Sequence, residues 1–158
     1  MSRFSTYGVT VVNFIIAVVL ILAFAFVIFY KLFALSAQVK ALEVNPQAGR
    51  WNRLLVAYAI ETETLGSFKE IGFVPYGKLA EDGESSKSST FSYSSDLENG
   101  KGRFLAINII GLDNCKKKEG HWFAYGNIEQ FAGNAVAEPP IKRCAVLTPN
   151  FELFRDFF

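Results

Sequence analysis

Between Arg3 and Lys31 the chain carries no charged residue, and from residue 9 to residue 30 it is almost wholly apolar. About 22 residues at a helical rise of about 1.5 Å make roughly 33 Å of helix, against a hydrocarbon core of about 30 Å. A backbone in lipid must satisfy its own hydrogen bonds, so this run is expected to be helical despite its many β-branched residues. The apolar pattern does not stop cleanly. Leu35, Val39 and Leu42 continue it at close to helical spacing through "KLFALSAQVKALEV". Asn45-Pro46 predicts a break or kink, because proline disfavours helical geometry in the residue before it. Trp51, Leu54, Leu55 and Tyr58 then recur at i, i+3, i+4 and i+7 as one apolar stripe, with Gly66 as the expected stop. The prediction is a long N-terminal helix, half fully apolar and half amphipathic, whose amphipathic half needs a partner surface.

Beyond residue 72 the period changes. "GFVPYGKLAEDGESSKSST" is rich in glycine, proline and serine and reads as a loop. In the next stretch Phe91 and Tyr93 alternate with serines, Asn99-Gly100 marks a hairpin turn, and Phe104 to Ile110 form the returning strand. "HWFAYGNI" is a third strand, set off by the polar turn "KKKEG", and "EQFAGNAVAEPPIKRC" reads as a long loop. Helix first and a small antiparallel sheet afterwards is an α+β pattern. The segments are a leader-like 1–8, an apolar helix 9–30, an amphipathic continuation 31–65 and a β-rich head 66–158.

Composition narrows the function classes. The chain has 158 residues, 51% of them hydrophobic, and a net charge of +1 from 16 basic and 15 acidic residues. No broad basic field or aromatic-interleaved basic stretch points to nucleic acid as the main partner. A secretory signal peptide has a shorter apolar core, of about 7 to 15 residues, although "ALSA" at 34–37 offers a cleavage-like site for a released soluble domain. Arg3 on one flank and Lys31 and Lys40 on the other do not decide orientation. If the C-terminal part is exported, the even cysteine count favours a Cys115–Cys144 disulfide.

Candidate chemistry is sparse. His121 is the single histidine, which removes any multi-histidine metal site. Cys115, His121 and Cys144 are the one set with metal-ligating chemistry, without CxxC or HxxxH spacing. Glu61 and Glu63, two apart on a helix, point to different faces. Gly8, Gly49, Gly66 and Gly72 form no phosphate-cradling loop. Lys116 to Lys118 read as a solvated turn, with an anion- or surface-binding role as the alternative. Phe14, Phe24, Phe26, Phe29 and Phe33 are packing residues and form no regular ladder. The expectation is no catalytic residue, no cofactor, no metal and no enzymatic activity.

A short leader ending in glycine, a long apolar helix, an amphipathic continuation, a small antiparallel sheet and a C-terminal cysteine pair together resemble a type IV pilin or pseudopilin. "KLFALSAQVKALEVNPQAGRWNRLLVAYAIETETLGSFKEIGF" and "CAVLTPNF" carry the likeness most closely. The resemblance implies cleavage by a prepilin peptidase between Gly8 and Val9, at the end of "MSRFSTYG". It also implies an inner-membrane, single-pass stage, partnership with membrane lipid, an assembly platform and other pilin-like subunits, and a final place in a cell-surface or periplasmic filament. Departures from the pattern are informative. Val9 stands where phenylalanine or methionine is usual, Asn13 where glutamate is usual, and Tyr30 where many members have a helix-bending proline. A carboxylate can neutralise the N-terminal ammonium of a neighbouring subunit inside an apolar bundle, whereas the amide of Asn13 cannot. That difference implies a minor or tip-type subunit. The surface loops 82–95 and 115–144 would make outside contacts, and the tail "FELFRDFF" would pack Phe154, Phe157 and Phe158 onto the domain or a neighbouring subunit. The alternative is a single-span anchored binding domain that never polymerises.

Overall fold

An apolar helix needs no neighbour for its backbone, and the first element, α1 (Phe4–Ala41), runs uninterrupted through the whole charge-free stretch. The computed structural model describes residues 4–98, 101–127, 136–138 and 140–151, with residues 4–9 (Gly8 and Val9 among them), 98, 127, 136 and 137 described by their backbone alone. After α1 come α2 (Val44–Thr62), β1 (Lys78–Leu79), β2 (Ser85–Lys87), β3 (Phe91–Glu98), β4 (Lys101–Asn108), β5 (His121–Asn127), β6 (Val136–Glu138) and α3 (Lys142–Ala145). The architecture is α+β, and the chain divides into one unit ending at Ser36 and a second beginning at Ala37.

In the second unit the six strands form one antiparallel sheet in sequence order, β1 to β6. Along β4 the buried positions alternate with half-buried ones, so Gly102, Phe104, Ala106 and Asn108 share the inner face. Register places Tyr93 opposite Ala106 and Ala106 opposite Trp122, while Phe104 faces Ala124 and Gly102 faces Gly126. Large and small residues therefore alternate across the inner face. The bulky ones, with Phe68, Phe73, Phe91 and Phe151, form an aromatic core in which Phe91 meets Trp122 edge-on at 5.1 Å and Phe68 meets Phe73 at 4.9 Å.

Helix α2 closes this core. Trp51 and Leu55 are buried and Leu54 and Tyr58 pack at its margin, which is the stripe expected from their spacing. The two facing glycines, Gly102 and Gly126, make the close approach possible. A Cβ at Gly102 would lie 3.1 Å from Leu55 Cδ2, and one at Gly126 would collide with the same methyl. Leu55 has no free volume to retreat into, being buried itself.

Several boundaries differ from the expectation. The helical break falls at Leu42–Glu43, upstream of Asn45-Pro46, and Pro46 sits inside the first turn of α2. There its missing N–H costs nothing, because the first N–H groups of a helix have no intrahelical partner. Its ring cannot accommodate the carbonyl four residues earlier, and Leu42 O is taken instead by Asn45 N–H at 3.2 Å. The expected continuation 31–65 is thus two helices, and α2 belongs to the core of the second unit.

Helix α2 stops at Glu63 in the left-handed region, with its N–H on Ala59 O at 2.9 Å, and not at Gly66. Gly66 is needed for closeness, since a Cβ there would lie 2.8 Å from Ile71 and 2.9 Å from Tyr58. The returning strand is β4, Lys101–Asn108, ending two residues before Ile110. Short strands β1 and β2 lie within the predicted loop 72–90, β6 lies within the predicted loop 129–144, and α3 begins in that loop and ends one residue beyond it. The Asn99-Gly100 turn and the phenylalanines at 154, 157 and 158 lie outside the described residues, although Glu98 pairs with Lys101 across the turn.

Replacing Gly126 by alanine should lower the stability of the head by about 1–3 kcal/mol through overpacking against Leu55. Gly111→Ala, where nothing lies within 4 Å, should be close to neutral. Urea unfolding followed by tryptophan fluorescence checks both, and equal midpoints for the two variants would contradict the packing argument.

Candidate functional site

Three parts of the chain stand out as places where function can reside: the apolar helix, the junction at 42–47, and the disulfide-closed turns. In α1, Asn13 and the large apolar residues from Val11 to Tyr30 are exposed. Phe26 is 76% exposed and Phe24 67%, apolar surface whose contact with water is unfavourable. The helix is long and apolar enough to cross a membrane. Gly8 and Val9 lie on it, one to two turns before Asn13. The "ALSA" tetrapeptide is also helical, and its Ala37 is buried in the core of the second unit.

The junction is tied to the sheet by one hydrogen bond. Tyr93 donates its hydroxyl to Glu43 Oε1 at 2.8 Å, joining the break between the two helices to the first half of β3. Tyr93 is fully buried, and burial pushes its phenol well above the ordinary value, with the Glu43 carboxylate adding to the effect. Just beyond, Gln47 and Trp51 lie one turn apart on the buried side of α2, and neither the Gln47 amide nor the Trp51 indole N–H has a partner. The junction therefore carries a polar cost that the aromatic core offsets.

The third region is the pair of turns joined by a disulfide. Cys115 and Cys144 are bonded, with Cα atoms 4.9 Å apart and 29 residues of separation. In the chain-entropy picture a loop of this length contributes about 3–4 kcal/mol. The bond also removes both sulfurs from the Cys115, His121, Cys144 set, so those three do not ligate a metal together. Among the described residues no group of three or more His, Cys, Asp or Glu is placed to hold one. Asn108, buried at the end of β4, organises the turn from inside. Its amide donates to Ile110 O and Lys116 O, both at 2.7 Å, and its carbonyl accepts from Gly120 N–H at 2.8 Å. Glu119 accepts from Lys116 N–H at 3.0 Å and pairs with Arg143 across the disulfide. On the other strand Trp122 donates its indole N–H to Thr148 Oγ1 at 2.8 Å, holding the segment after α3. Lys116, Lys117 and Lys118 are exposed on this frame, and Lys118 adopts a left-handed φ of 63°.

Glu61 and Glu63 are exposed at the end of α2, and among the described residues neither makes an ion pair. Asn108, the Tyr93–Glu43 bond and the Gly102–Gly126 pair were not singled out by sequence reasoning. The glycines had a signal, each interrupting a β-rich run, but the cross-strand register that makes them a pair is not visible in the chain alone. Comparison with known proteins finds no matching protein family, no similar curated protein and no similar solved structure.

The buried phenol gives a pH dependence with a definite sign. Its folded value is raised above the unfolded 10.0, so its contribution is fully present below pH 10. Above that pH the unfolded chain loses the proton while the folded head keeps it, and stability falls as pH rises. Tyr93→Phe should flatten this alkaline decline while costing about 0.5–1.5 kcal/mol at neutral pH. Thermal unfolding of both proteins between neutral pH and pH 11 checks it, and parallel alkaline slopes would contradict the assignment.

Proposed function

We propose that the chain is a structural subunit of a type IV pilus-like or type II secretion-like filament, of the minor or tip type, assembling through its apolar N-terminal helix. The observation that carries the reading is the order of parts. An exposed apolar helix passes within a few residues into α2, which is itself the lid of an antiparallel meander closed near its C-terminus by a disulfide. A bare helix of this kind is stable in lipid or packed against other apolar helices, and a filament subunit uses both environments in turn.

In this reading residues 1–8 are a leader cut between Gly8 and Val9 by a prepilin peptidase. The segment 9–30 holds the protein in the inner membrane until an assembly platform extracts it among other pilin-like subunits. The head then faces outward at the cell surface or in the periplasm. No enzymatic step is assigned to it. The second reading is a single-span anchored binding domain that keeps residues 1–8, and processing at Gly8 discriminates it.

N-terminal mass of the protein in sheared surface material and in membranes separates the two. A chain starting at Val9 in the sheared fraction, scarce relative to the bulk subunit, is the expected result. An uncut leader confined to membranes would overturn the filament reading, and recovery as the abundant repeating subunit would overturn the minor or tip assignment.

A further inference from the structure

We propose that the disulfide-closed turns form a docking surface for an anionic lipid bilayer. The Cys115–Cys144 bond joins two short exposed segments that are distant in the chain. One carries Lys116, Lys117 and Lys118, and the other carries Lys142 and Arg143, all exposed. Of the two acidic residues in these turns, Asp113 and Glu119, the second is occupied by Lys116 N–H and by Arg143. Among the described residues the three lysines make no ion pair. Flanking Lys142 and Arg143 in the chain are two exposed aliphatic side chains, Ile141 at 49% and Val146 at 66% exposure.

The combination selects the partner. A soluble polyanion would be bound by the cations alone and would leave the aliphatic pair in water. A lipid surface takes both, the cations at the headgroups and the aliphatic side chains at the acyl boundary. Rigidity favours docking as well. Asn108, the disulfide and the Glu119 bridge fix the lysine turn before any contact, so little conformational entropy is lost on binding. Lys118 is held at positive φ, a conformation that costs a lysine energy and that the surrounding hydrogen bonds enforce. The inference does not depend on the filament reading, since it needs only the head and a bilayer facing it.

The test uses the full chain in nanodiscs of phosphatidylcholine, mixed with separate vesicles and sedimented. Binding is expected to vesicles containing phosphatidylglycerol, to be absent with phosphatidylcholine vesicles and to weaken with added salt. Charge reversal in a Lys116→Glu, Lys117→Glu, Lys118→Glu variant should abolish it, each lost lysine alone accounting for about fivefold. Ile141→Ser with Val146→Ser should weaken it severalfold while leaving any retention on heparin unchanged. Non-reducing peptide mapping and circular dichroism verify that each variant keeps the disulfide and the fold. Equal binding to neutral and anionic vesicles would overturn the proposal, and so would full binding by the serine pair, which marks a generic polyanion site. Because the readout involves no filament, its failure leaves the assembly reading untouched, and the reverse holds too.

Discussion

The first unit of this chain is governed by a helix whose apolar side chains are unfavourable in water. From Val11 to Tyr30 the large side chains of α1 lie open, and nothing charged interrupts them. Transfer of such a surface out of water is worth about 25 cal/mol per Å² of apolar area, so its cover is a requirement and not an option. A bilayer meets that requirement, and so does a bundle of similar helices. Asn13 carries the only side-chain amide in the run from residue 9 to residue 30. In lipid the amide is a moderate burden. In a bundle it can find a hydrogen bond but can neutralise no charge.

The head solves a separate problem, which is to build a core from few residues on a thin sheet. Its answer is an aromatic cluster on one face, with small residues opposite large ones, and a helix pressed close over two glycines. This close packing explains why the head tolerates unpaired polar atoms on Gln47 and Trp51. Those atoms lie on the same buried side of α2 that supplies Leu55, so moving them to water would undo the contact that closes the core. The disulfide and Asn108 do for the C-terminal turns what the aromatic cluster does for the sheet, holding short segments that have too little apolar area to hold themselves.

Legibility in the sequence followed the strength of each periodic signal. The apolar helix was visible as a stretch without charge, and the Trp51–Tyr58 stripe and the third strand, HWFAYGN, matched their patterns because burial imposes the period directly. The disulfide followed from cysteine count once export was assumed. Strands β1, β2 and β6 did not, because two or three residues cannot show an alternation, and they exist by pairing with longer neighbours. The helix break moved upstream because proline acts on the carbonyl four residues before it, which places the disruption at Leu42. The helix end moved because Glu63 took the left-handed cap that a glycine is expected to fill. Asn108 shows no pattern in the chain because its role is a set of three backbone contacts, two, eight and twelve residues onward, that only the folded turn brings together.

The proposal that the chain is a filament subunit requires the exposed side chains of α1 to end against other protein helices. A photo-crosslinking residue placed at Phe24, in cells carrying the native machinery, tests it most directly. The account predicts covalent adducts to the apolar N-terminal segments of other filament subunits, formed by chains that begin at Val9. Adducts to lipid alone, on chains that keep Met1 or Ser2, would contradict it.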